Sequence, residues 1–294
     1  MSKLKAKSPE LTSPGHAKVM IFGASGVGKT WLALDFPNLY YIDCEGGAKL
    51  KHYQEKLAAG NGMYLGVEDG ALDFSFLIEQ IQALATEKHG YKTVVIDSIT
   101  KVYQSCIAAE AEKLGDKDAF GASKKPAVAN MRRLINWIMR LDMNVIFLAH
   151  DMAEWGVDGK GTRTEIGRVA DCWDKLIYEL DLTLQAVKRG NSRVAVVTKS
   201  RLKGFPDREQ FPLEYKEFAS RYGKDFIEAE PAPIVLATPE QVAEIERLLG
   251  IVKVDEATLE KWKKKAGADS FSEFNTDQAE GIITHLNKLV TGSK

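Results

Sequence analysis

Only three cysteines (Cys44, Cys106 and Cys172) stand in 294 residues, far apart and with no Cys-x-x-Cys pair. That scarcity excludes a disulfide framework and a cysteine zinc site, and it points to reduced thiols in a cytoplasmic compartment. No run approaches the roughly 20 apolar residues that a helix needs to cross a bilayer, so no membrane partner is expected. Charge of one sign is missing too. With a formal net charge of −1, the chain is no polycation, and any nucleic-acid contact has to come from local patches. Met1 to Gly15 carries Lys, Ser and Pro but no apolar h-region, which reads as a flexible tail and not as a secretory signal. There is no internal repeat and no low-complexity tract.

What is present begins at Gly23. Residues Gly23, Ala24, Ser25, Gly26, Val27, Gly28, Lys29 and Thr30 spell G-x-x-x-x-G-K-[ST]. They follow the strand-like run Val19-Met20-Ile21-Phe22 and precede the helix-like run Trp31-Leu32-Ala33-Leu34. In that setting the glycines let successive backbone N–H groups turn inward on a polyphosphate. A helix starting near Gly28 adds its positive end. Lys29 is placed to reach the β- and γ-phosphates, and the Thr30 hydroxyl to ligate Mg²⁺. ATP and Mg²⁺ are therefore the expected ligands.

The rest of the core alternates strand and helix patterns, the signature of an α/β sheet covered by helices. Continuous apolar runs predict strands at Lys18–Phe22, Leu39–Asp43, Thr93–Asp97 and Asn144–Ala149. Helical patterns fall at Lys29–Asp35, Ala71–Glu87, Ile99–Leu114 and Pro126–Leu141. Asp151 to Gly167 is polar and glycine-bearing and reads as a long functional loop. Leu176–Val187 and Arg193–Thr198 read as an antiparallel hairpin. From Lys188 to Lys203 there are six basic residues and no acidic one (Lys188, Arg189, Arg193, Lys199, Arg201, Lys203), either a nucleic-acid patch or a solvated strand edge. The Pro- and Glu-bearing stretch 228–237 reads as a linker after a core at 16–227. Residues 238–294 read as a small helical module, with helices capped by Thr238, Asp255 and Thr276.

Two acidic strand ends frame the phosphate loop. Thr93-Val94-Val95-Ile96-Asp97 ends in the carboxylate that would hold Mg²⁺ beside Thr30. Tyr40-Tyr41-Ile42-Asp43-Cys44-Glu45 places Glu45 just past a strand tip, where it could activate water. An Asp that merely caps the next helix, and an acidic turn before Gly46 and Gly47, are the plain alternatives.

The order of these segments resembles the RecA-type ATPase core: P-loop, a strand ending Ile-Asp-x-Glu, then Val-Ile-Asp-Ser, then an apolar strand leading into a polar loop. The resemblance implies a mostly parallel P-loop NTPase sheet with an antiparallel hairpin. It makes Glu45 the catalytic base and Asp97 the Walker B residue. His150, at the end of Val145–Ala149, takes the place of the γ-phosphate sensor, which in the family is often Gln. Lys199 and Arg201 resemble the Lys-x-Arg element that RadA-type and DnaB-type members insert into a neighbour's site, which implies a homo-oligomer, ring or filament. Asp151–Gly167 and Gly115–Lys125 occupy the places of the DNA-binding loops. Lys124, Lys125, Lys160 and Arg163 are then the phosphate contacts, and Trp155 and Phe120 the stacking groups.

The compact core, the Tyr-Ile-Asp-Cys-Glu-Gly-Gly strand end and the His150 strand end together resemble the bacteriophage single-strand annealing ATPases. That implies an ATP-dependent protein that binds single-stranded DNA and works in a bacterial host cell. Its helical module, with Lys261-Trp262-Lys263-Lys264-Lys265, would recruit a partner such as single-strand binding protein, unless Trp262 is simply core. A DnaB-like hexameric helicase motor, a P-loop small-molecule kinase and a non-hydrolysing adaptor remain open, although no Arg-rich lid follows the fourth strand.

Overall fold

A computed structural model of the chain describes residues 15–119, 121–157, 159 and 161–292. The tail before Gly15, Phe120 and Lys160 lie outside the described residues. The strands are β1 (Lys18–Phe22), β2 (Leu39–Asp43), β3 (Met63–Leu65), β4 (Thr93–Asp97), β5 (Asn144–Ala149), β6 (Asp151–Val157), β7 (Arg163–Ala170), β8 (Leu182–Arg189), β9 (Ser192–Ser200) and β10 (Gln210–Pro212). The helices are α1 (Lys29–Ala33), α2 (Lys51–Ala59), α3 (Phe74–Thr86), α4 (Ile99–Leu114), α5 (Lys124–Arg140), α6 (Leu176–Glu179), α7 (Tyr215–Tyr222) and α8 (Lys224–Ile227), then α9 (Pro239–Ile251), α10 (Glu256–Ala266) and α11 (Thr276–Gly292).

Eight strands form one sheet in the order β10-β9-β8-β1-β5-β4-β2-β3. From β8 to β3 the pairing is parallel, and β9 and β10 add antiparallel edges. Strands β1 and β5 are buried along their whole length, which is why both read as unbroken apolar runs. One face carries α3 and α5 through Leu77, Ile81, Leu134 and Ile138, and the other carries α1 and α7 through Leu32, Phe36 and Phe218. Because β5 separates β1 from β4, its tip stands between the phosphate loop and the acidic ends of β4 and β2.

Lys18 is the exception inside β1. It is buried, and its Nζ donates to Leu141 O at 2.6 Å and Met143 O at 2.8 Å, tying β1 to the turn before β5. Burial pulls its pKa down to about 7. The unfolded chain then holds the proton that the folded chain gives up, so stability rises with pH between about 7 and the ordinary lysine value. This contribution is complete above that ordinary value and is lost as pH falls through about 7. Thermal melts of wild type and Lys18→Met are expected to show wild type gaining on the variant as the pH rises from about 6 to about 9. Parallel pH profiles would contradict the assignment.

Several segments differ from the sequence reading. Asp151–Gly167 is no loop: β6 and β7 pair antiparallel, with a register shift at Glu154/Trp155. Leu176–Glu179 is a turn of helix, so the hairpin starts only at Leu182. α1 has five residues, shorter than expected, and closes in tighter three-residue turns, Asp35 N donating to Leu32 O at 3.1 Å and Phe36 N to Ala33 O at 3.2 Å. α11 is entered by way of Asn275, whose Oδ1 accepts from Gln278 N at 2.8 Å, so Thr276 is not its cap. The C-terminal helices have their own apolar cluster around Ile245, Leu248, Phe274 and Leu286. They also lean on α5: Arg133 pairs with Asp269 at 2.9 Å and Glu273 at 3.2 Å, and Arg140 donates to Glu273 O at 2.7 Å.

Candidate nucleotide site

The phosphate loop joins the buried end of β1 to α1. At Gly23 φ is +151°, and a Cβ there would lie 2.4 Å from Ala186 O, so only glycine lets the loop pass β8 this closely. Gly28 has φ +101°, and Arg193 Cδ would stand 2.9 Å from its Cβ. Lys29 Nζ donates to Gly23 O at 2.6 Å and Ala24 O at 3.0 Å, holding the ammonium inside the curve of the loop. Burial lowers its pKa, while Asp97, Asp151 and Glu45 push in the other direction. With α1 so short, little helix dipole is available, and the cradle rests on loop amides and this ammonium.

Opposite it, Asp43 and Asp97 are register partners at the ends of β2 and β4. Thr30 Oγ1 donates to Asp97 Oδ2 at 2.8 Å, and the Tyr41 hydroxyl donates to the same oxygen at 2.5 Å. Burial raises the Asp97 pKa, and the hydrogen bonds from Tyr41 and Thr30 oppose that rise. Asp43 shapes the next turn: it accepts from Glu45 N (3.0 Å), Gly46 N (2.7 Å), Ala48 N (2.9 Å) and Tyr64 Oη (3.0 Å). That turn projects Glu45 toward β5, where its Oε1 accepts from Ser98 Oγ and lies 2.7 Å from His150 Nε2. His150 is anchored in turn, its N–H donating to Thr100 Oγ1 at 3.0 Å.

These groups fit a magnesium-bound triphosphate. The Thr30 hydroxyl and the Asp97 carboxylate are adjacent hard oxygen donors, and a P-loop site leaves the remaining Mg²⁺ positions to phosphates and water. Among the described residues no cluster of three His, Cys, Asp or Glu side chains forms a metal cage, and such a site needs none. A cleft of about 400 Å³ opens beside the loop, lined by Gly26 to Trp31 together with Tyr53, Arg193 and Leu213.

A family model described as an AAA domain matches residues 16–203. The chain belongs to that family. No curated protein matches it as a sequence relative. Among solved structures it is similar to the RadB recombinase, with 22% identity, TM-score 0.42, 67% of this chain covered and 87% of that one. It is also similar to a prototypical ATPase from the type III secretion system of pathogenic bacteria, with 13% identity, TM-score 0.38 and coverages of 94% and 81%.

This AAA domain is a P-loop ATPase core, and it brings together Lys29, Thr30, Asp97, Glu45 and His150. It does not bring Lys199 and Arg201 to that place. β9 runs antiparallel to β8, so Ser200 pairs with Leu182, beside the start of β1. The five residues of β1, at about 3.3 Å each, put roughly 16 Å between that edge and the loop. There Lys199 Nζ donates to Ile177 O at 2.8 Å and to Leu180 O, and Arg201 Nη2 to Tyr178 O at 2.6 Å. The basic run is thus not one patch: Lys188, Arg189 and Arg193 sit at the loop edge, Lys199 and Arg201 at the far edge.

Of the residues assigned to DNA, Trp155 and Arg163 face each other on the β6–β7 ribbon, the guanidinium 4.8 Å from the ring centroid. Lys124 and Lys125 are exposed at the start of α5. Tyr41, Ser98 and Asp151 carry no role in the sequence reading, and Arg193 only that of a member of the basic run. Asp151 directly follows His150 and binds Arg168 Nε at 2.8 Å, and its position after a strand tip was the available signal.

Proposed function

We propose that the protein is an ATP-dependent single-stranded-DNA-binding recombination or annealing protein that hydrolyses ATP at subunit interfaces. One observation carries this reading. His150 touches Glu45 at the nucleotide site and is followed without a break by β6, whose ribbon presents a half-exposed Trp155 (51%) stacked by Arg163. A change at the γ-phosphate is thus linked along a single strand, over the five residues from His150 to Trp155, to a surface suited to stacking on bases and neutralising phosphate. Lys124 and Lys125 extend the same role, as does Lys160, which lies outside the described residues.

In this reading the loop amides and Lys29 hold the phosphates, Thr30 and Asp97 hold Mg²⁺, and Glu45 takes the proton of the attacking water. Bound Mg²⁺ supplies positive charge against the transferring phosphoryl group. His150 reports γ-phosphate occupancy to the ribbon, and DNA is bound more tightly in that state because the contacts differ between the two arrangements. Arg201, with Lys199, serves the site of a neighbouring copy in a ring or filament. The C-terminal helices serve as a docking module, where half-buried Trp262 stands edge-on to His285 at 5.7 Å beside exposed lysines and single-strand binding protein is the proposed partner. A cytoplasmic setting, in a bacterial host if the chain is phage-encoded, goes with it.

The test is the ATPase rate with and without single-stranded DNA over a range of protein concentrations. The rate per chain is expected to rise with concentration and again with DNA. A flat, DNA-insensitive rate would contradict it. The remote placement of Arg201 suits a hexameric motor equally well, and strand displacement without annealing of naked complementary strands would favour that second reading.

A further inference from the structure

We infer that Tyr41 is a positioning residue for Mg²⁺, its buried hydroxyl fixing the Asp97 carboxylate that faces Thr30. The inference rests on the ATPase reading above and adds a residue to it.

The sheet dictates the contact. Tyr41 pairs with Val95 in the β2–β4 register, and Asp97 lies two residues further along β4, on the same face. Diagonal neighbours on parallel strands are within reach of an aromatic side chain. The phenol ring of Tyr41 is fully buried (0% exposed) in the apolar cluster beneath α1, so the ring has a fixed place and its polar end points at the strand tip. There it donates to Asp97 Oδ2 at 2.5 Å, while Thr30 Oγ1 donates to that oxygen from the other element at 2.8 Å. Two donors from two elements set the plane of the carboxylate, and Oδ1 is the oxygen that neither engages. Thr30 gives its proton to Asp97 and keeps its lone pairs for the metal. The Tyr41 hydroxyl also lies beside the Thr30 hydroxyl, but its donated hydrogen bond goes to Asp97, and its effect passes through that carboxylate. A phenylalanine would fill the core equally well, and the hydroxyl is what the position adds.

Partners of this kind, standing behind a metal-binding group, are worth about 10–100-fold in metal affinity. The experiment measures nucleotide binding to the full chain as a function of Mg²⁺, by fluorescence of a labelled ATP analogue, for wild type and Tyr41→Phe. The Mg²⁺ concentration at half-saturation is expected to rise about 10-fold or more, while binding in EDTA and the melting temperature stay near wild type. In an Asp97→Ala background, Tyr41→Phe is expected to change the Mg²⁺ response no further. A half-saturation shift under about two-fold overturns the inference while leaving the ATPase reading intact. So does a lowered melting temperature with an unchanged Mg²⁺ response, or a persistent effect of Tyr41→Phe in the Asp97→Ala background. Wild-type protein that binds no nucleotide with Mg²⁺ overturns the ATPase reading and this inference together.

Discussion

Replacing Glu45 by Gln is expected to slow ATP hydrolysis by about 10²–10⁴-fold while ATP binding is retained. The carboxylate is held away from the loop by Ser98 and His150, and it makes none of the contacts that grip the phosphates. An amide keeps the shape and still accepts from Ser98 through its oxygen, so the turn built by Asp43 stays in place. What it loses is the capacity to take a proton. The check is a pair of measurements on one preparation, steady-state hydrolysis and equilibrium ATP binding. Unaltered hydrolysis would move the base to another residue and leave the cradle standing.

Arg201→Ala is expected to reduce turnover on the order of 10³-fold, the scale at which a cation supplied to the transferring phosphoryl group acts. Its effect should appear only in the assembled protein, since Arg201 sits at the far edge of its own sheet from its own loop. Lys199 is more committed within the chain, because its ammonium closes the carbonyl end of α6, and Lys199→Ala should also lower the melting temperature. Mixing settles the direction of sharing. In a one-to-one mixture of Glu45→Gln and Arg201→Ala protomers, about a quarter of head-to-tail interfaces join an intact Glu45 to an intact Arg201. Activity should return to about that fraction of wild type, whereas a site complete within one chain would gain nothing from mixing.

The parts of this fold legible in the sequence are those with a single environment. β1, β2, β4 and β5 were readable to the residue because burial on both faces leaves an unbroken apolar run. The phosphate loop and its two acidic strand tips were readable because chemistry restricts each position. The β6–β7 ribbon was hidden because both its faces are open enough to carry charge and glycine, which erases the alternation that marks a half-buried strand. β3, three residues on an exposed edge, has too little pattern to show. The basic run Lys188–Lys203 misled for a different reason. The turn after Arg189 sends the chain back along the sheet, so neighbours in sequence end at opposite edges. Tyr41 was lost inside an apolar run, since nothing in its neighbours reveals that its hydroxyl meets a carboxylate from another strand.

The most direct test of the central claim is a calorimetric titration of Glu45→Gln protein with ATP, in Mg²⁺ and then in EDTA, where turnover no longer blurs the heat of binding. Saturation is expected at one ATP per chain, tight with Mg²⁺ and weakened without it. A flat titration under both conditions, from protein that melts cooperatively, would contradict it.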